Sequence, residues 1–152
     1  MDRLNLILRV RSNTRDFSNS IFREVDIIDY LNEGIDRFKQ IVPELNGLDY
    51  LTSSTSVPSL IPIQYHHLLA TYASARCYAQ DERHYQATTL MNEFEVKLQE
   101  LLDKVQSGEV VIIDPDTDLP VVLTDNEIDY VDLSAYWDDY TDDYDLGVEG
   151  VE

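Results

Sequence analysis

Two long stretches of the sequence carry apolar side chains at intervals of three or four residues, which limits the chain to a largely helical fold. The apolar positions of the first stretch are Val25, Ile28, Leu31, Ile35, Phe38 and Val42. Those of the second stretch are Ala87, Leu90, Phe94, Leu98, Leu101 and Val105. Side chains spaced in this way share one face of an α-helix. We therefore expect one helix over residues 23–41, ended by Pro43, and another reaching about residue 106, with Gly108 as its stop.

A third helix is expected between them, over residues 63–80, and it is apolar around most of its circumference. Its apolar residues are Ile63, Tyr65, Leu68, Leu69, Ala70, Tyr72, Ala73, Ala75, Cys77, Tyr78 and Ala79. A helix of this kind is covered on several sides, so it should be central. A short helix over residues 2–10 and a loop over residues 12–20 precede these three helices.

Gly34 lies inside the first long helix, where glycine costs up to about 1 kcal/mol relative to alanine. Either close packing against another helix or contact with a neighbouring subunit would explain its presence. The sequence alone does not choose between these two explanations.

The connection over residues 43–62 is long and contains three prolines. Long connections in compact domains are usually functional or ordered by a partner. We expect subunit contacts to order most of this connection. Its apolar residues indicate that it packs down on a surface, and they are Leu45, Leu48, Tyr50, Leu51, Leu60 and Ile61.

The acidic residues are concentrated at one end of the chain, whose net charge is −19. Residues 1–104 hold 15 acidic and 11 basic side chains, as on an ordinary globular surface. Residues 105–152 hold 15 acidic side chains and no Lys or Arg. This second part repels nucleic acid and favours a basic partner surface.

Two β-branched runs, residues 110–113 and 119–123, flank a turn-forming segment and predict a β-hairpin. Because a two-stranded hairpin is marginal alone in water, we expect it to lie against another surface, with a second subunit as the natural candidate.

Residues 124–152 show neither a helical nor a strand period, and they combine 11 carboxylates with five aromatic residues. Solubilising tails are poor in aromatic residues, so we interpret this segment as an interaction arm. Its candidate partner-binding residues are Tyr130, Tyr136, Trp137, Tyr140 and Tyr144.

The sequence thus predicts a mainly α protein: a helical bundle with a long connecting loop, a small β-hairpin and an extended acidic C-terminal arm. The predicted parts are a helical domain over residues 1–108, a hairpin extension over residues 109–123 and the arm over residues 124–152. The expected core residues are Ile28, Leu31, Ile35, Phe38, Leu69, Leu90, Phe94 and Leu98.

Histidine, cysteine and acidic residues suggest two metal sites, but neither matches a known ligand pattern. His66 and His67 are adjacent, so they point to different faces of their helix. Cys77, Asp81 and His84 lie near a helix junction, where a zinc site would need at least one more ligand. Core and capping roles are therefore the better interpretation of these residues.

A calcium loop is the second metal interpretation, since Asp114, Asp116, Asp118 and Asp125 fall on ligand positions of the 12-residue template. The template requires glycine at position six, but this chain has Leu119 there. A turn with solvated carboxylates is therefore favoured, and no metal or cofactor is expected.

No catalytic motif is present, so the chain is not expected to be an enzyme. The only cysteine is Cys77, which excludes an internal disulfide, and no apolar run is long enough to span a membrane. The N-terminal apolar patch is too short and too charged for a signal peptide, which suggests a reducing cytoplasm as the site of synthesis. The most basic stretch carries too few cations for a nucleic-acid-binding module, and they are Arg3, Arg9, Arg11, Arg15 and Arg23.

Two strings of residues resemble one known family. Residues 26–35 read DIIDYLNEGI, and residues 62–98 read PIQYHHLLATYASARCYAQDERHYQATTLMNEFEVKL. Both are similar, in the same order and with a proline-rich loop between them, to helices of the head-tail connector or adaptor proteins of tailed bacteriophages. The resemblance covers roughly residues 1–104.

This resemblance implies a structural virion protein at the neck of the particle. Helical bundles of this family form a ring, usually of twelve subunits, beneath the portal protein. The ring extends the DNA channel without binding DNA specifically and presents a docking surface for the next neck or tail component. C-terminal segments in such adaptors often grip the portal, and residues 109–152 stand where such a segment would be.

Three other interpretations remain open at this point. An acidic inhibitor or DNA mimic would use residues 105–152 to occupy a basic protein groove, and it should stay monomeric or dimeric alone. A cytosolic helical adaptor with an acidic recognition tail is the second interpretation. A calcium-binding domain is the third.

Overall fold

The computed structural model describes residues 1–123, and residues Met1–Val121 form one compact unit. Its helices are α1 (Arg3–Thr14), α2 (Glu24–Ile41), α3 (His67–Gln80) and α4 (His84–Gln106). Short 3₁₀ turns lie at Pro43–Leu45 and Ile63–Tyr65. The prediction of a mainly helical protein is confirmed for this part of the chain. The predicted arm over residues 124–152 lies outside the described residues.

Helix α3 is the centre of the bundle, because α1, α2 and α4 all pack on it. Helix α2 also contacts α1 and α4, whereas α1 and α4 do not contact each other. The small residues Ala70, Ala73 and Ser74 of α3 are fully buried and allow these close approaches. The prediction that the helix apolar on all sides is central is therefore confirmed.

Close packing between α2 and α3 explains Gly34. A Cβ atom at this position would lie 3.2 Å from Leu69 Cδ2 and 3.3 Å from Tyr72 Cδ1. Both distances are tighter than ordinary van der Waals contact. Glycine thus lets the two helices approach within a single subunit, which resolves the choice that the sequence left open.

The core is built around the ring of Phe94, which meets Phe38 edge to face at 5.8 Å and Tyr72 at 5.0 Å between ring centroids. Six of the expected core residues are completely buried, namely Leu31, Ile35, Phe38, Leu69, Phe94 and Leu98.

Two expected core residues, Ile28 and Leu90, are only half-buried. On α2, Ile27 is completely buried, and the predicted Ile28 packs against the core beside it. On α4 it is Met91 that packs against the core, while Leu90 lines a surface cleft. Spacing of three and four residues allows both choices, so the neighbouring helix decides which face turns inward.

Helix α1 is longer than expected because both ends are capped. The Asp2 carboxylate accepts a hydrogen bond from the Asn5 backbone N–H at 2.9 Å. At the other end Arg15 takes a left-handed conformation (φ 59°), and its N–H reaches the last carbonyls of the helix. The helix therefore runs to Thr14, into the segment expected to be a loop.

The long connection before α3 is ordered by the chain itself, contrary to the expectation that subunit contacts order it. Leu45, Leu48, Leu51 and Ile61 are each at most 2% exposed and belong to the core. The Leu51 backbone N–H donates to Asn32 Oδ1 at 2.9 Å, which ties the connection to α2. The packing of its apolar residues on the bundle, which the sequence predicted, thus holds the connection in place.

Residues 109–123 contain a single antiparallel bridge, between Ile113 and Pro120, rather than the two strands expected. Gly108 ends α4 in a left-handed conformation (φ +78°), as predicted. Ile112 is 2% exposed and joins the helical core, so the turn rests on its own subunit rather than needing a second one.

Candidate interaction site on α1, α3 and α4

Helix α1 presents an outward surface that mixes apolar and cationic side chains. Leu4 is 52% exposed and Leu8 57% exposed. Residues 3–15 contain no Asp or Glu, although the whole chain carries 30 acidic residues. Large exposed apolar residues next to cations are typical of protein–protein contact surfaces.

Arg3 of the basic stretch donates to the Leu51 carbonyl at 3.3 Å, and the other four arginines divide into two groups. Arg11 is buried and pairs with Asp16 at 2.8 Å, and Arg23 pairs with Asp26 at 2.9 Å. Arg9 and Arg15 are exposed, and within residues 1–123 neither has a carboxylate within 4.0 Å. Among the described residues these two guanidinium groups thus have no ion-pair partner.

A cleft of about 380 Å³ separates α1 from α4, with α3 as its floor. Ten residues line the cleft, namely Arg9, Asn13, His67, Thr71, Tyr78, Tyr85, Gln86, Thr89, Leu90 and Glu93. Its volume falls in the range of ligand pockets, roughly 300–1,000 Å³.

Hydrogen bonds between α1 and α3 hold one side of this cleft. The Tyr78 hydroxyl donates to the Asn13 carbonyl at 2.9 Å. The Asn13 side-chain amide donates to Ser74 Oγ at 3.1 Å. Because these bonds join side chains and backbone of two helices, the α1 wall is fixed relative to the floor.

Two threonine hydroxyls in the cleft are bonded within their own helices. The hydroxyls of Thr71 and Thr89 donate back to carbonyls of their own helices, at 3.3 Å and 2.9 Å. A nucleophile needs a base within hydrogen-bond reach, and no such bond is formed by either hydroxyl in the described residues. Arginine and tyrosine, which both line the cleft, are residue types enriched in interface hot spots.

The two adjacent histidines face different surroundings, as expected. His66 is 4% exposed, and its Nε2 lies 2.7 Å from the Ile61 carbonyl, to which it donates. Burial lowers the pKa of His66. His67 is half-buried and lines the cleft. His66 thus serves the fold, while His67 is open to a partner.

The three residues considered for zinc have separate structural surroundings. Cys77 is completely buried, and burial raises the pKa of its thiol to about 12. Asp81 lies 3.5 Å from the Arg83 guanidinium, and His84 is exposed. Within residues 1–123, no group of three or more His, Cys, Asp or Glu side chains is arranged to hold a metal ion.

The residues considered for calcium form a local turn instead. Asp114 Oδ1 accepts the backbone N–H of Asp116 at 2.9 Å. Asp118 takes a left-handed conformation (φ 56°), and its N–H donates to the Asp114 carbonyl at 2.8 Å. The fourth residue of the template, Asp125, lies outside the described residues.

The candidate partner-binding aromatics, Tyr130, Tyr136, Trp137, Tyr140 and Tyr144, also lie outside the described residues. Sequence reasoning overlooked the cleft and the outward leucines of α1. The absence of acidic residues over 3–15 was a usable signal for the α1 surface. The cleft had no such signal, because three separate helices supply its lining.

None of the helices in the described part of the chain is long and apolar enough to cross a membrane. Comparison of the chain with models of protein families, with curated proteins and with solved structures finds no match.

Proposed function

We propose that this chain is a structural, non-enzymatic protein of a tailed-bacteriophage virion, one subunit of an adaptor ring between the portal and the tail. The supporting observation is that the two strings resembling connector proteins form the helices of the core. The first string lies on α2, and the second covers the turn Ile63–Tyr65, α3 and most of α4. Both strings therefore belong to one packed unit.

Several apolar residues of the second string lie in the core. Tyr65 is 6% exposed, and Cys77 and Phe94 are completely buried. A resemblance carried by buried residues argues for a common core. It supports the proposal through the fold.

The charge distribution agrees with a DNA channel that does not retain DNA. A protein with net charge −19 gains no affinity from releasing the counterions of nucleic acid. In this proposal the ring has about twelve copies, as the resemblance implies. Residues 124–152 bind the portal, and another surface receives the downstream neck or tail protein. No cofactor takes part.

The test is a phage in which the gene for this chain is inactivated. We expect DNA-filled heads without tails, because the docking surface under the portal would be absent. Adding the purified full-length protein to these heads should restore tail attachment and infectivity. Normal tailed particles in its absence would overturn the proposal.

A second measurement separates the adaptor from an acidic inhibitor. Immunolabelling of purified wild-type particles should place the chain at the neck, in several copies per particle. A chain that is missing from particles but co-purifies with a basic host protein would support the inhibitor instead.

A further inference from the structure

The turn between α1 and α2 exposes large apolar side chains at its tip. We call residues 17–21 the Phe17 turn. Phe17 is 75% exposed and Ile21 56% exposed. None of these five residues is charged, although 27% of the whole chain is. Large apolar side chains outside a core stabilise a complex when a partner covers them, and aromatic residues are enriched in such contacts.

Hydrogen bonds hold the backbone of the Phe17 turn in one conformation. The buried Asp16 carboxylate accepts the N–H groups of Ser20 and Ile21 at 3.0 Å and 3.2 Å. Asn19 takes a left-handed conformation (φ 56°), and its N–H donates to the Asp16 carbonyl at 3.3 Å. Phe22, which follows the turn, is 5% exposed and belongs to the core. The exposed apolar side chains are therefore presented on a preformed backbone, which lowers the entropy cost of binding.

The Phe17 turn lies at the end of the bundle where α3 ends and α4 begins. There the Tyr78 hydroxyl donates to the Asn13 carbonyl at 2.9 Å. Helix α4 starts four residues after α3 and runs 23 residues, about 35 Å, away from this end. Beyond its C-terminus Val121, the last residue of the compact unit, donates its N–H to the Ile112 carbonyl at 2.8 Å. The Phe17 turn and the last residue of the compact unit thus lie at opposite ends of the bundle.

The charges beside the Phe17 turn favour an acidic group on the partner. Arg15 is exposed, and within residues 1–123 no carboxylate lies within 4.0 Å of its guanidinium. On the other side of the turn, Arg23 pairs with Asp26 at 2.9 Å. Glu24 lies in the first turn of α2, where the helix N-terminus stabilises a negative charge. The surface therefore fits an apolar pocket with a carboxylate at its edge.

Two classes of partner accept apolar side chains next to an arginine: a protein with such a pocket and an anionic lipid surface. A chain with net charge −19 is repelled by an anionic lipid surface, and one arginine without a counter-charge does not offset that repulsion. A preformed turn also suits a pocket of fixed shape better than a fluid surface. The observations therefore favour a protein.

We propose that the Phe17 turn inserts Phe17 and Ile21 into an apolar pocket of another protein, with Arg15 against a carboxylate at the edge of that pocket. This inference rests on the proposed function and deepens it. In the proposed adaptor, the segment that binds the portal follows Val121 in the sequence. The Phe17 turn, at the opposite end of the bundle, is therefore assigned to the downstream neck or tail protein.

Complementation of heads that lack this chain tests the proposal with full-length protein. Phe17→Ser and Ile21→Ser should each bind DNA-filled heads like the wild type but yield fewer tailed particles at limiting protein concentration, by about tenfold or more. Arg15→Glu should act in the same direction, because it removes the charge contact. The control Val96→Ser removes a 66% exposed apolar side chain from α4 and should restore tails like the wild type.

The urea midpoints of these variants should equal that of the wild type, because all four side chains are exposed. A loss of tailed particles then reports a lost contact rather than a lost fold.

A photoreactive p-benzoylphenylalanine in place of Phe17 gives a second readout in assembled particles. It should cross-link to one virion protein other than the portal and other than a second copy of this chain. The yield should fall when Arg15→Glu is added. The same photoreactive residue at position 96 should not form this product.

Phe17→Ser and Ile21→Ser proteins that restore tails as well as the wild type would overturn the inference while the proposed function stands. A cross-link from position 17 to the portal or to another copy would also overturn it, as would loss of head binding by Phe17→Ser. Binding of the wild type to phosphatidylserine vesicles that Phe17→Ser abolishes would assign the turn to lipid instead. If the wild type itself fails to restore tails, the proposed function is wrong and this inference falls with it.

Discussion

The carboxylate of Asp16 organises the turn between α1 and α2. It is 1% exposed and accepts the backbone N–H groups of Ser20, Ile21 and Phe22 at 3.0–3.2 Å. The Arg11 guanidinium donates to the same carboxylate at 2.8 Å and to the Phe22 carbonyl at 3.1 Å. The buried Arg11–Asp16 ion pair thus supplies hydrogen-bond partners for the backbone groups of the whole turn.

Opposing effects act on the pKa of Asp16. Burial alone would raise it, but the N–H groups of Phe22, Ile21 and Ser20 and the charge of Arg11 lower it below its usual value. A carboxyl whose pKa is lower in the folded state contributes stability above its unfolded pKa, about 4. That contribution is lost as the pH falls through the folded pKa.

We therefore expect Asp16→Asn to lower the free energy of unfolding by about 3–5 kcal/mol at pH 7, because Arg11 would stay buried without its counter-charge. Urea unfolding of both proteins between pH 7 and pH 2 measures the effect. The difference between them should start to shrink below about pH 4, where the carboxyl of the unfolded chain becomes protonated, and should be lost as the pH falls through the lower pKa of the folded state. A difference that is constant over this range would show that the charge of Asp16 is unimportant.

At the scale of elements, α4 shows that neighbouring helices determine which face of a helix is buried. Phe94 and Leu98 are completely buried, whereas Leu90, one turn before Phe94, borders the cleft. Met91 packs against the core at that turn. The open space between α1 and α4 is the direct reason, since no third helix covers Leu90.

Truncation at these two positions of α4 should have different effects. Phe94→Ala should cost about 3–5 kcal/mol, because it removes the ring that joins α2, α3 and α4. Leu90→Ala should cost about 1 kcal/mol or less, as for a side chain at the surface. Chemical denaturation of the two variants measures both values. Equal losses would mean that Leu90 is as deeply packed as Phe94.

At the scale of the whole molecule, the chain separates a nearly balanced surface from an acidic extension. Among residues 1–123, the core cluster reaches Ile112, with Val121 packed against it. Residues 124–152 add 11 carboxylates and no basic residue. Because residues of α1–α4 build most of this core, we expect the helices to fold without those 29 residues.

Deletion of residues 124–152 should leave helix content and urea stability unchanged, as seen by circular dichroism. In the proposed adaptor the same deletion should prevent stable attachment to DNA-filled heads, because the arm carries the acidic and aromatic contacts. Attachment of the intact protein should weaken with salt. Unchanged attachment of the truncated protein would mean that residues 124–152 do not bind the portal.

The sequence by itself determined the helices and the identity of the central one. Apolar spacing placed α2 and α4 within a few residues of their ends, since one buried face leaves a local periodic pattern. The apolar, small-residue composition of the third helix marked α3 as central because a helix without a polar face has to be covered. Pro43 and Gly108 gave correct ends through local backbone constraints.

Only the tertiary structure decided which helix positions face inward and which groups meet. The deeper burial of Ile27 than of Ile28, and the packing of Met91 rather than Leu90 against the core, follow from the position of the neighbouring helix. The cleft exists because α1 and α4 pack on α3 without touching each other. A gap between segments that are distant in the sequence leaves no local sequence pattern. The arginines of α1 look alike in sequence, yet Arg11 meets Asp16 in the interior while Arg9 and Arg15 stay exposed, because three-dimensional packing determines which charges find partners.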